Sequence, residues 1–416
     1  MSKLLEQINT TPRETKRLGD VIGYIADNRG KNPSYYSENG IPVIDNFMIT
    51  GKRIVDLSKT KRFIDETTYK SFIRKDIKEN DVLVTLVGNG YGNICLAPKE
   101  KSVIIQNTIG LRANELSINP YLFYLLSFNK QKITALDRGA AQPSVKVGDL
   151  LDISIEIPNI LIQQKIAKIL NTFDLKIENN NRIIKILEAA AQTIFKEWFV
   201  NFRFPGYEKV KMIGSEMGKI PEGWDIRKIS DVAHLNKGVS YTSAEIDAGY
   251  GEVALINLGN FLRGGGFNNE GTKYYSGEYK STQIVEPGQI LIAMTDLTSN
   301  REVIGHPARL PENFRKAVIS LDVCSLTPKK DIYIEFLYNS MLRRNFSKLM
   351  ASCASGTNVS HLKKNDIEEY NLIFPNEQVL IQFNDLAQPI FTKQAILEGE
   401  NQKLKESRDQ LLAKLI

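Results

Sequence analysis

Residues 160–199 read ILIQQKIAKILNTFDLKIENNNRIIKILEAAAQTIFKEWF, and this stretch decides the fold. Its apolar residues are separated by alternating steps of three and four positions, with a single step of seven. The members of this series are Ile162, Ile166, Ile169, Phe173, Ile177, Ile184, Leu187, Ala191, Ile194 and Trp198. Such spacing predicts one long helix whose apolar seam packs in a coiled coil. Asn180 falls within the step of seven, where a buried amide can fix the register of two helices.

Further apolar residues lie off this seam, namely Leu161, Leu170, Leu175, Ile183 and Ile186. One partner helix cannot cover all of these side chains, which predicts a larger bundle or a partner chain. We therefore expect a subunit interface on this helix. The candidate interface residues are Ile183, Ile186, Leu187, Ile194 and Trp198.

A second stretch, residues 377–416, has the same character. Its predicted seam consists of Val379, Phe383, Leu386, Ile390, Leu397, Leu404, Leu411 and Leu415. Pro389 lies within this stretch. Because proline removes one helical hydrogen bond and crowds the preceding turn, we expect it to kink or locally open the helix.

Each predicted helix follows a block of short β-branched runs, and the two blocks repeat one another. Three positions that recur with a constant shift of 217 are Gly139, Asp149 and Pro158, which return as Gly356, Asp366 and Pro375. Residues 41–44, 81–87 and 103–105 are typical of strands, and residues 120–129 are typical of a helix. The sequence therefore predicts an α+β protein in which two mixed α/β domains are joined by two long antiparallel coiled-coil helices, with an internal pseudo-two-fold.

The boundaries follow from this pattern. We expect a first domain at 1–158, a first long helix at 159–200, a linker rich in Gly and Pro at 201–223, a second domain at 224–375 and a second long helix at 376–416.

Composition is ordinary for a globular protein, with 42% hydrophobic and 25% charged residues. The net charge of +6 weakly indicates a polyanionic partner. No apolar run reaches the length of a membrane span, and the N-terminus lacks a signal-peptide core, so we expect a cytoplasmic protein. Cys95, Cys324 and Cys353 are too few and too scattered for a disulfide framework or a zinc cluster.

Motifs of enzyme chemistry are missing from the sequence. Residues 88–92, GNGYG, superficially resemble a nucleotide-binding glycine loop, but residues 93–98 read as a strand where such a loop needs a helix. Asn-Gly between strands instead predicts a hairpin turn. There is no Gly-Lys-Ser/Thr phosphate loop, and the three histidines lack metal-ligand spacing. We therefore predict no catalytic residue, metal ligand or cofactor in this chain.

Several loops in both blocks combine Arg or Lys with Asn, Tyr and Ser, which suits phosphate contact and base-edge readout. The candidates in the first block are Arg29, Lys31, Tyr35, Lys52, Arg53, Asn89, Tyr91, Arg138, Gln142 and Ser144. The candidates in the second block are Lys237, Ser240, Tyr241, Arg263, Asn300, Arg301, Asn358 and His361. Any one of them reads as an ordinary solvated residue, but the set recurs in both copies, which favours DNA binding.

Three short stretches carry a family resemblance: IFKEWFVNFRFPG at 194–206, IPEGW at 220–224 and ISDVA at 229–233. They resemble the specificity (S) subunit of type I restriction-modification systems, and the resemblance covers essentially the whole chain. One departure is the usual Glu-Gln near each helix start. It stands as Gln163-Gln164 in the first copy and as Glu377-Gln378, closer to the proline, in the second.

The resemblance implies a mechanism. Each domain would be a target recognition domain that reads one half of a bipartite, asymmetric site in double-stranded DNA. The helices would pack antiparallel, hold the domains apart and dock two methyltransferase (M) subunits, which bring AdoMet and methylate adenines. Restriction (R) subunits would bring ATP and Mg for cleavage. This chain would be the non-catalytic reader, without a membrane partner.

Two rival interpretations stay open at this point. One is a coiled-coil scaffold that binds proteins and not DNA. The other is a self-contained methyltransferase-specificity fusion, for which the chain is short and lacks the motifs.

Overall fold

The computed structural model describes residues 2–30, 32–88, 90–137, 143–247, 249, 251–298, 300–356 and 359–416. The chain divides into two compact units, and the division cuts both long helices. The first unit comprises residues 1–178 and 403–416, and the second comprises residues 179–402.

The first unit begins with a short helix and continues as a small mixed domain. Its strands are β1 (Glu14–Arg17), β2 (Ile22–Ala26), β3 (Ile41–Ile44), β4 (Phe63–Ile64), β5 (Val82–Thr85), β6 (Ile94–Leu96), β7 (Val103–Ile104), β8 (Thr108–Ala113) and β9 (Ser154–Ile157). Its helices are α1 (Ser2–Thr10), α2 (Glu66–Phe72), α3 (Asn119–Phe128), α4 (Lys130–Thr134) and α5 (Val147–Leu151), followed by the first part of α6 (Ile160–Phe199).

Two sheets and one isolated strand pair form the first unit. The order β2-β8-β5-β6 is antiparallel throughout, and the order β4-β3-β7 includes the parallel pair β3–β7. Strands β1 and β9 pair separately at the two ends of the domain. All four residues of β5 are buried, since α3 covers one face of the sheet and a smaller core fills the other.

The second unit repeats this plan. Its strands are β10 (Met212–Ser215), β11 (Gly218–Pro221), β12 (Asp225–Lys228), β13 (Ala233–Lys237), β14 (Ile246–Asp247), β15 (Ala254–Ile256), β16 (Lys273–Tyr275), β17 (Ile284–Val285), β18 (Ile290–Ala293), β19 (Thr295–Asp296), β20 (Pro307–Arg309), β21 (Ala317–Ile319), β22 (Val323–Pro328), β23 (Ser360–His361) and β24 (Asn371–Phe374). Its helices are α7 (Ile229–Val232), α8 (Ile334–Leu342), α9 (Arg344–Cys353) and α10 (Lys364–Glu368), with the first part of α11 (Glu377–Leu415).

Each sheet of the first unit has a counterpart in the second. The antiparallel order β13-β22-β18-β20 matches β2-β8-β5-β6, and the parallel pair β15–β21 matches β3–β7. The terminal pair β12–β24 matches β1–β9. The predicted α+β class with two repeated mixed domains and two long helices is therefore confirmed.

The two long helices start in the same way. The Asn159 side-chain oxygen accepts a hydrogen bond from Ile162 N–H (3.1 Å), and the Asn376 oxygen accepts one from Val379 N–H (3.0 Å). Both asparagines follow a proline that ends a β-strand, and both occupy N-cap positions. Because positions 159 and 376 differ by 217, the same shift that relates the domains also aligns the helices.

Within each unit, the segments of α6 and α11 run antiparallel. In the first unit, Asp174 pairs with Arg408 (2.6 Å). In the second unit, Asn180 lies beside Asn401 (3.0 Å), and Gln394 donates to the carbonyl of Ile184 (3.3 Å). As the residue number on α6 rises from 174 to 184, the number of its partner on α11 falls from 408 to 394.

The predicted seam of α11 needs one correction. Leu386 is 49% exposed, whereas Ala387 is buried against the second-unit core. The inward face steps by four residues after Phe383, so position 387 points inward and position 386 points outward. The helix continues through Pro389.

Asn180 occupies the buried seam position that its spacing predicts. Its side-chain amide donates to Asn401 Oδ1 (3.0 Å) and Glu400 Oε2 (3.0 Å), while its own oxygen has no partner among the described residues. Asn401 in turn donates to Asn181 Oδ1 (2.9 Å). A buried polar contact of this kind favours one helix register over others.

Changing Asn401 to Ala should lower the free energy of unfolding by about 1–3 kcal/mol, because one N–H of the buried Asn180 amide then loses its acceptor and Glu400 satisfies only the other. Urea denaturation followed by circular dichroism measures this change.

The control is the double change Asn180→Leu with Asn401→Ile. Positions 180 and 401 correspond, by the shift of 217, to Leu397 and Ile184 of the opposite helix. Replacing both polar partners by apolar groups should cost far less than the single change. A double variant as unstable as Asn401→Ala would show that the amide contact itself is not responsible.

Candidate nucleic-acid interface

In the first unit, the turn after β5 is tied to the segment that precedes α5. Gly88 N–H donates to the Pro143 carbonyl (3.0 Å), and Val87 forms a β-bridge with Ser144. Tyr91, in the same turn, is half-buried against the first-unit core. The structure therefore brings two predicted readers, Tyr91 and Ser144, to the same end of the sheet. The predicted hairpin is confirmed, since β5 and β6 pair antiparallel across this turn.

The loop that follows β2 carries Arg29 and Tyr35. The Arg29 guanidinium donates to both carboxylate oxygens of Asp27 (2.9 and 2.8 Å). These hydrogen bonds hold the pKa of Asp27 below its usual value. The Tyr35 ring is 58% exposed and offers a face for stacking.

Lys52 and Arg53 are neighbours in sequence but differ in environment. Lys52 is exposed. The Arg53 guanidinium is mostly buried and makes two hydrogen bonds to Glu178 of α6 (2.9 and 2.8 Å). Such a bidentate pair fixes the guanidinium. Arg53 thus holds its loop against the helix, and Lys52 is the cation that this loop presents to solvent.

In the second unit, Asp296 organises the loop that follows β18. Its carboxylate accepts hydrogen bonds from the N–H groups of Thr298 (2.7 Å), Val303 (2.6 Å) and Ile304 (3.1 Å). Burial alone would raise the pKa of Asp296, but these hydrogen bonds keep the pKa below its usual value. The loop is therefore fixed before any ligand binds.

Arg301 and His361 meet around this loop. Strand β19 pairs with β23, which places His361 opposite Thr295. Arg301 has a positive φ of 52°, and its guanidinium donates to Ser360 Oγ (3.1 Å) and to the Ala351 carbonyl (2.5 Å). Arg301 thus secures the loop from within, while Asn300 and His361 are exposed.

The remaining candidates of the second unit lie on two other loops. Lys237 and Ser240 are exposed, and Tyr241 is half-buried against a small core. The exposed Arg263 forms an ion pair with Glu302 (3.0 Å), which brings its loop beside the loop of Asn300. Five candidates lie outside the described residues: Lys31, Asn89, Arg138, Gln142 and Asn358.

The candidate interface residues of α6 separate into two groups. Ile186 is 59% exposed, and Ile183 and Leu187 are half-buried. Ile194 packs against the second-unit core, and Trp198 is buried there beside Phe383 with ring centroids 6.0 Å apart. Heptad spacing does not distinguish these residues from one another. Trp198 is buried in the aromatic core of the second unit, so little of its surface is accessible to a partner.

Exposed apolar residues on α11 were missed by the sequence reasoning. They are Ile381, Leu386 and Ile396. A signal was present, since Ile381 and Ile396 lie off the predicted seam just as Ile186 does on α6. Apolar side chains on an outward helix face mark an interaction surface when they are contiguous.

Two of the three cysteines are buried. Burial raises the pKa of the Cys95 thiol to about 11 and that of Cys324 to about 12, so neither is a ready thiolate nucleophile. In the part of the chain that the structure describes, no group of His, Cys, Asp and Glu side chains could hold a metal ion. No helix there is long and apolar enough to cross a membrane.

Comparisons with known proteins agree with the two-copy architecture. The family described as "Type I restriction modification DNA specificity domain" matches residues 12–189 and 221–406. The MjaIX specificity subunit of Methanocaldococcus jannaschii is 26% identical over 97% of this chain and 92% of its own length. The HindI specificity subunit of Haemophilus influenzae is 25% identical over 82% and 87%. The crystal structure of an S subunit from M. genitalium shares the fold, with a TM-score of 0.59, 16% identity and coverage of 98% and 97%.

Two copies of one α+β domain, each continued by a long helix, define a two-domain specificity protein. The family match covers most of both copies. The chain belongs to the DNA specificity subunit family of type I restriction-modification systems, as its sequence motifs predict.

Changing Asp296 to Ala should free the loop at 297–306, because three backbone N–H groups lose their acceptor. The amides of Val303 and Ile304 should then exchange with solvent at least about tenfold faster, as expected for a lost hydrogen bond to a charged group. Hydrogen exchange with mass spectrometry measures this rate, and Asp296→Asn, which keeps one acceptor oxygen, is the matched control.

The effect should depend on pH. Because the folded-state pKa of Asp296 lies below the ordinary value of 3.8, its contribution to stability is complete above that value and is lost as the pH falls through the folded-state pKa. Protection that is unchanged in Asp296→Ala at neutral pH would contradict this role.

Proposed function

We propose that this chain is the non-catalytic DNA-reading subunit of a type I restriction-modification enzyme. Each unit reads one half of a bipartite, asymmetric site in double-stranded DNA. The long helices set the spacing between the half-sites and dock two M subunits, and R subunits join that core.

The observation that carries this proposal is the repeated loop construction. In each unit, the loop after the central buried strand pairs with the segment that precedes the last short helix: Val87 with Ser144, and Thr295 with His361. Positions 144 and 361 are related by the same shift of 217. Two similar domains that present equivalent loops suit two half-sites on one duplex.

Exposed side chains on the candidate reading loops of both units fit DNA contact. Lys52, Lys237 and Arg263 offer positive charge for phosphates, while Ser240 and Asn300 offer hydrogen-bonding groups for base edges. The net charge of +6 is modest, so we expect M subunits to supply part of the phosphate attraction. Binding should therefore be tight and sequence-selective only in the assembled complex, and it should weaken as salt rises.

Cofactors belong to the partners in this proposal. AdoMet is held by the M subunits, ATP and Mg by the R subunits, and this chain holds none. Its own residues choose the site and position the partners, and no chemical step is assigned to them.

Replacing residues 17–158 by the corresponding domain of a relative with another target should change one half-site and leave the other unchanged. The loops concerned are 29–36, 50–53, 88–92 and 138–144 in the first unit, and 237–242, 263–266, 298–301 and 355–361 in the second. Methylome sequencing of cells that express the chimera with its M subunit reads both halves at once.

The matched control exchanges residues 225–374 instead, which should change only the other half-site. A change in both halves from either exchange would contradict independent readers. A wild-type complex that shows no salt-dependent, sequence-selective binding to duplex DNA would favour the scaffold interpretation.

Changing Ile186 to Asp should leave the chain folded but prevent its co-purification with the M subunit. The side chain is mostly exposed, so the substitution costs the fold little, whereas a buried carboxylate in an interface is expensive. Ile194→Asp is the contrasting variant, since Ile194 packs on the second-unit core and its substitution should lower the unfolding temperature. Undiminished M binding by Ile186→Asp would exclude this face of α6 as the docking surface.

A further inference from the structure

The second unit contains a cavity where its α/β domain meets the two long helices. Its volume is about 440 Å³. Glu188 of α6, Phe391 and Glu398 of α11, Tyr338 of α8 and Arg309 of β20 are among the residues that line it. None of the individual candidate reading residues lines this cavity, although Gly265 and Gly266 of the loop at 263–266 do.

The corresponding junction in the first unit is filled by an ion pair. Tyr124 of α3 donates its hydroxyl hydrogen to Asp174 Oδ2 (2.5 Å), and Arg408 donates to Asp174 Oδ1 (2.6 Å). Asp174 and Arg408 lie on α6 and α11. One arginine guanidinium is thus enclosed between the domain and the helix pair.

The internal repeat shows what replaces this pair in the second unit. Shifted by 217, Asp174 corresponds to Phe391, and Arg408 corresponds to Ala191. Tyr338 packs edge-on against Phe391, with ring centroids 6.2 Å apart, where Tyr124 donates a hydrogen bond to Asp174. Ala191 lines the cavity with only a methyl group. Arg309 of β20 stacks on both Tyr338 and Phe391, at 4.3 and 4.5 Å from the ring centroids, so a guanidinium lies at this junction as well. The space that stays unfilled is the part of the cavity beside Ala191.

A second ion pair of the first unit also lacks its counterpart. Arg53 reaches Glu178 of α6 with two hydrogen bonds. The position that corresponds to Glu178 is Ala395, which lines the cavity together with Gly265 and Gly266. The cavity lining therefore has small residues here, where the first unit has an ion pair.

The charge of the lining favours a cation. Four carboxylates line the cavity, from Glu188, Glu312, Glu335 and Glu398, against a single guanidinium, that of Arg309. Glu335 is already satisfied, since it takes two hydrogen bonds from Arg309 (3.0 and 2.7 Å). The other three have no ion-pair partner among the described residues.

Two of these free carboxylates influence each other. Both side chains are exposed to solvent. Partial desolvation raises the pKa of Glu398, and the nearby charge of Glu188 raises it further. Such repulsion between two carboxylates is relieved when a cation binds between them.

Tyr338 adds a phenol side chain to the cavity lining. Its side chain is only 9% exposed, and its hydroxyl makes no hydrogen bond to any residue that the structure describes. Burial raises the pKa of this hydroxyl to about 12. The charge of Arg309, which stacks on the ring, acts to lower this pKa, and the charges of Glu188 and Glu398 act to raise it.

We propose that this cavity binds a guanidinium group, supplied by an arginine side chain of the M subunit. The identity of the partner rests on the function proposed above, whereas the preference for a guanidinium rests on the cavity alone. A planar guanidinium presents five N–H donors, which matches two carboxylates and one hydroxyl oxygen. It also stacks on aromatic rings, as Arg309 does on Phe391 at 4.5 Å.

The first experiment supplies the guanidinium from within the chain. Ala191→Arg places an arginine at the position that corresponds to Arg408, and Ala191→Met is the control of similar length without charge. Thermal unfolding of the purified chain should show an unfolding temperature about 2–4 °C higher for Ala191→Arg than for Ala191→Met, which corresponds to about one favourable kcal/mol in a domain of this size.

This gain should disappear when Glu188→Gln and Glu398→Gln are added, because the carboxylates are then neutral. An Ala191→Arg chain that is no more stable than Ala191→Met would overturn the guanidinium preference. So would a gain that persists without the two carboxylates.

The second experiment tests the partner and uses a wild-type residue at position 191. The chain with Glu188→Gln and Glu398→Gln should bind the M subunit about tenfold more weakly than the wild type, as expected for lost charge-assisted hydrogen bonds. Asp385→Asn is the matched control, since Asp385 is an exposed carboxylate of α11 that does not line the cavity. It should bind like the wild type.

The outcomes separate the two proposals. A wild-type chain that binds no M subunit contradicts the proposed function. Normal M binding by both the wild type and the Gln double variant overturns the docking of an arginine here, and if the first experiment succeeds, the cavity then takes its guanidinium from another source. If residue 191 tolerates neither Arg nor Met, the binding comparison alone decides.

Discussion

The antiparallel packing of α6 against α11 is the constraint on which the rest of the structure depends. The first-unit core contains Ile166 of α6 and Leu415 of α11, while the second-unit core contains Trp198 of α6 and Phe383 of α11. Neither domain therefore completes its core from its own strands and short helices. The core of each unit contains side chains from one segment of α6 and one segment of α11. The register of the two helices therefore determines which helix residues reach each core. Burial of these large side chains, at about 1.5–3 kcal/mol each, makes that arrangement stable.

Polar contacts then make the helix pair specific. Apolar seams tolerate sliding by a heptad, but a buried amide that must find its partner does not. Asn180 meets Asn401 in the second unit, and Asp174 meets Arg408 in the first. Each pair lies on opposite helices, so a shift of either helix would leave a buried polar group unpaired.

Much of this architecture could be predicted from the sequence, since it depends on the local spacing of apolar residues and on the internal repeat. The helix at 160–199 and the inward position of Asn180 both follow from spacing. The roles of Arg53 and Arg301 could not be predicted, because their acceptors are Glu178 and Ser360, which are distant in sequence. The composition of a loop shows that it is basic. Only the fold shows which of its cations form ion pairs or hydrogen bonds within the protein and which stay exposed.

The same limit applies to the helix surface. Ile186 and Trp198 are both apolar residues of one helix, yet the first faces solvent and the second fills a core, because the domain that covers α6 does so only along part of its length. The repeat makes this distinction useful. Where the two copies keep the same residues, as at Asn159 and Asn376, the fold requires them. The first copy has the ion pair of Asp174 and Arg408, and the second has an acidic cavity at the corresponding place. The fold therefore does not require this ion pair. Such a divergence between equivalent positions is where a two-copy protein can acquire an asymmetric contact while both copies keep the same order of strands in the four-stranded sheet.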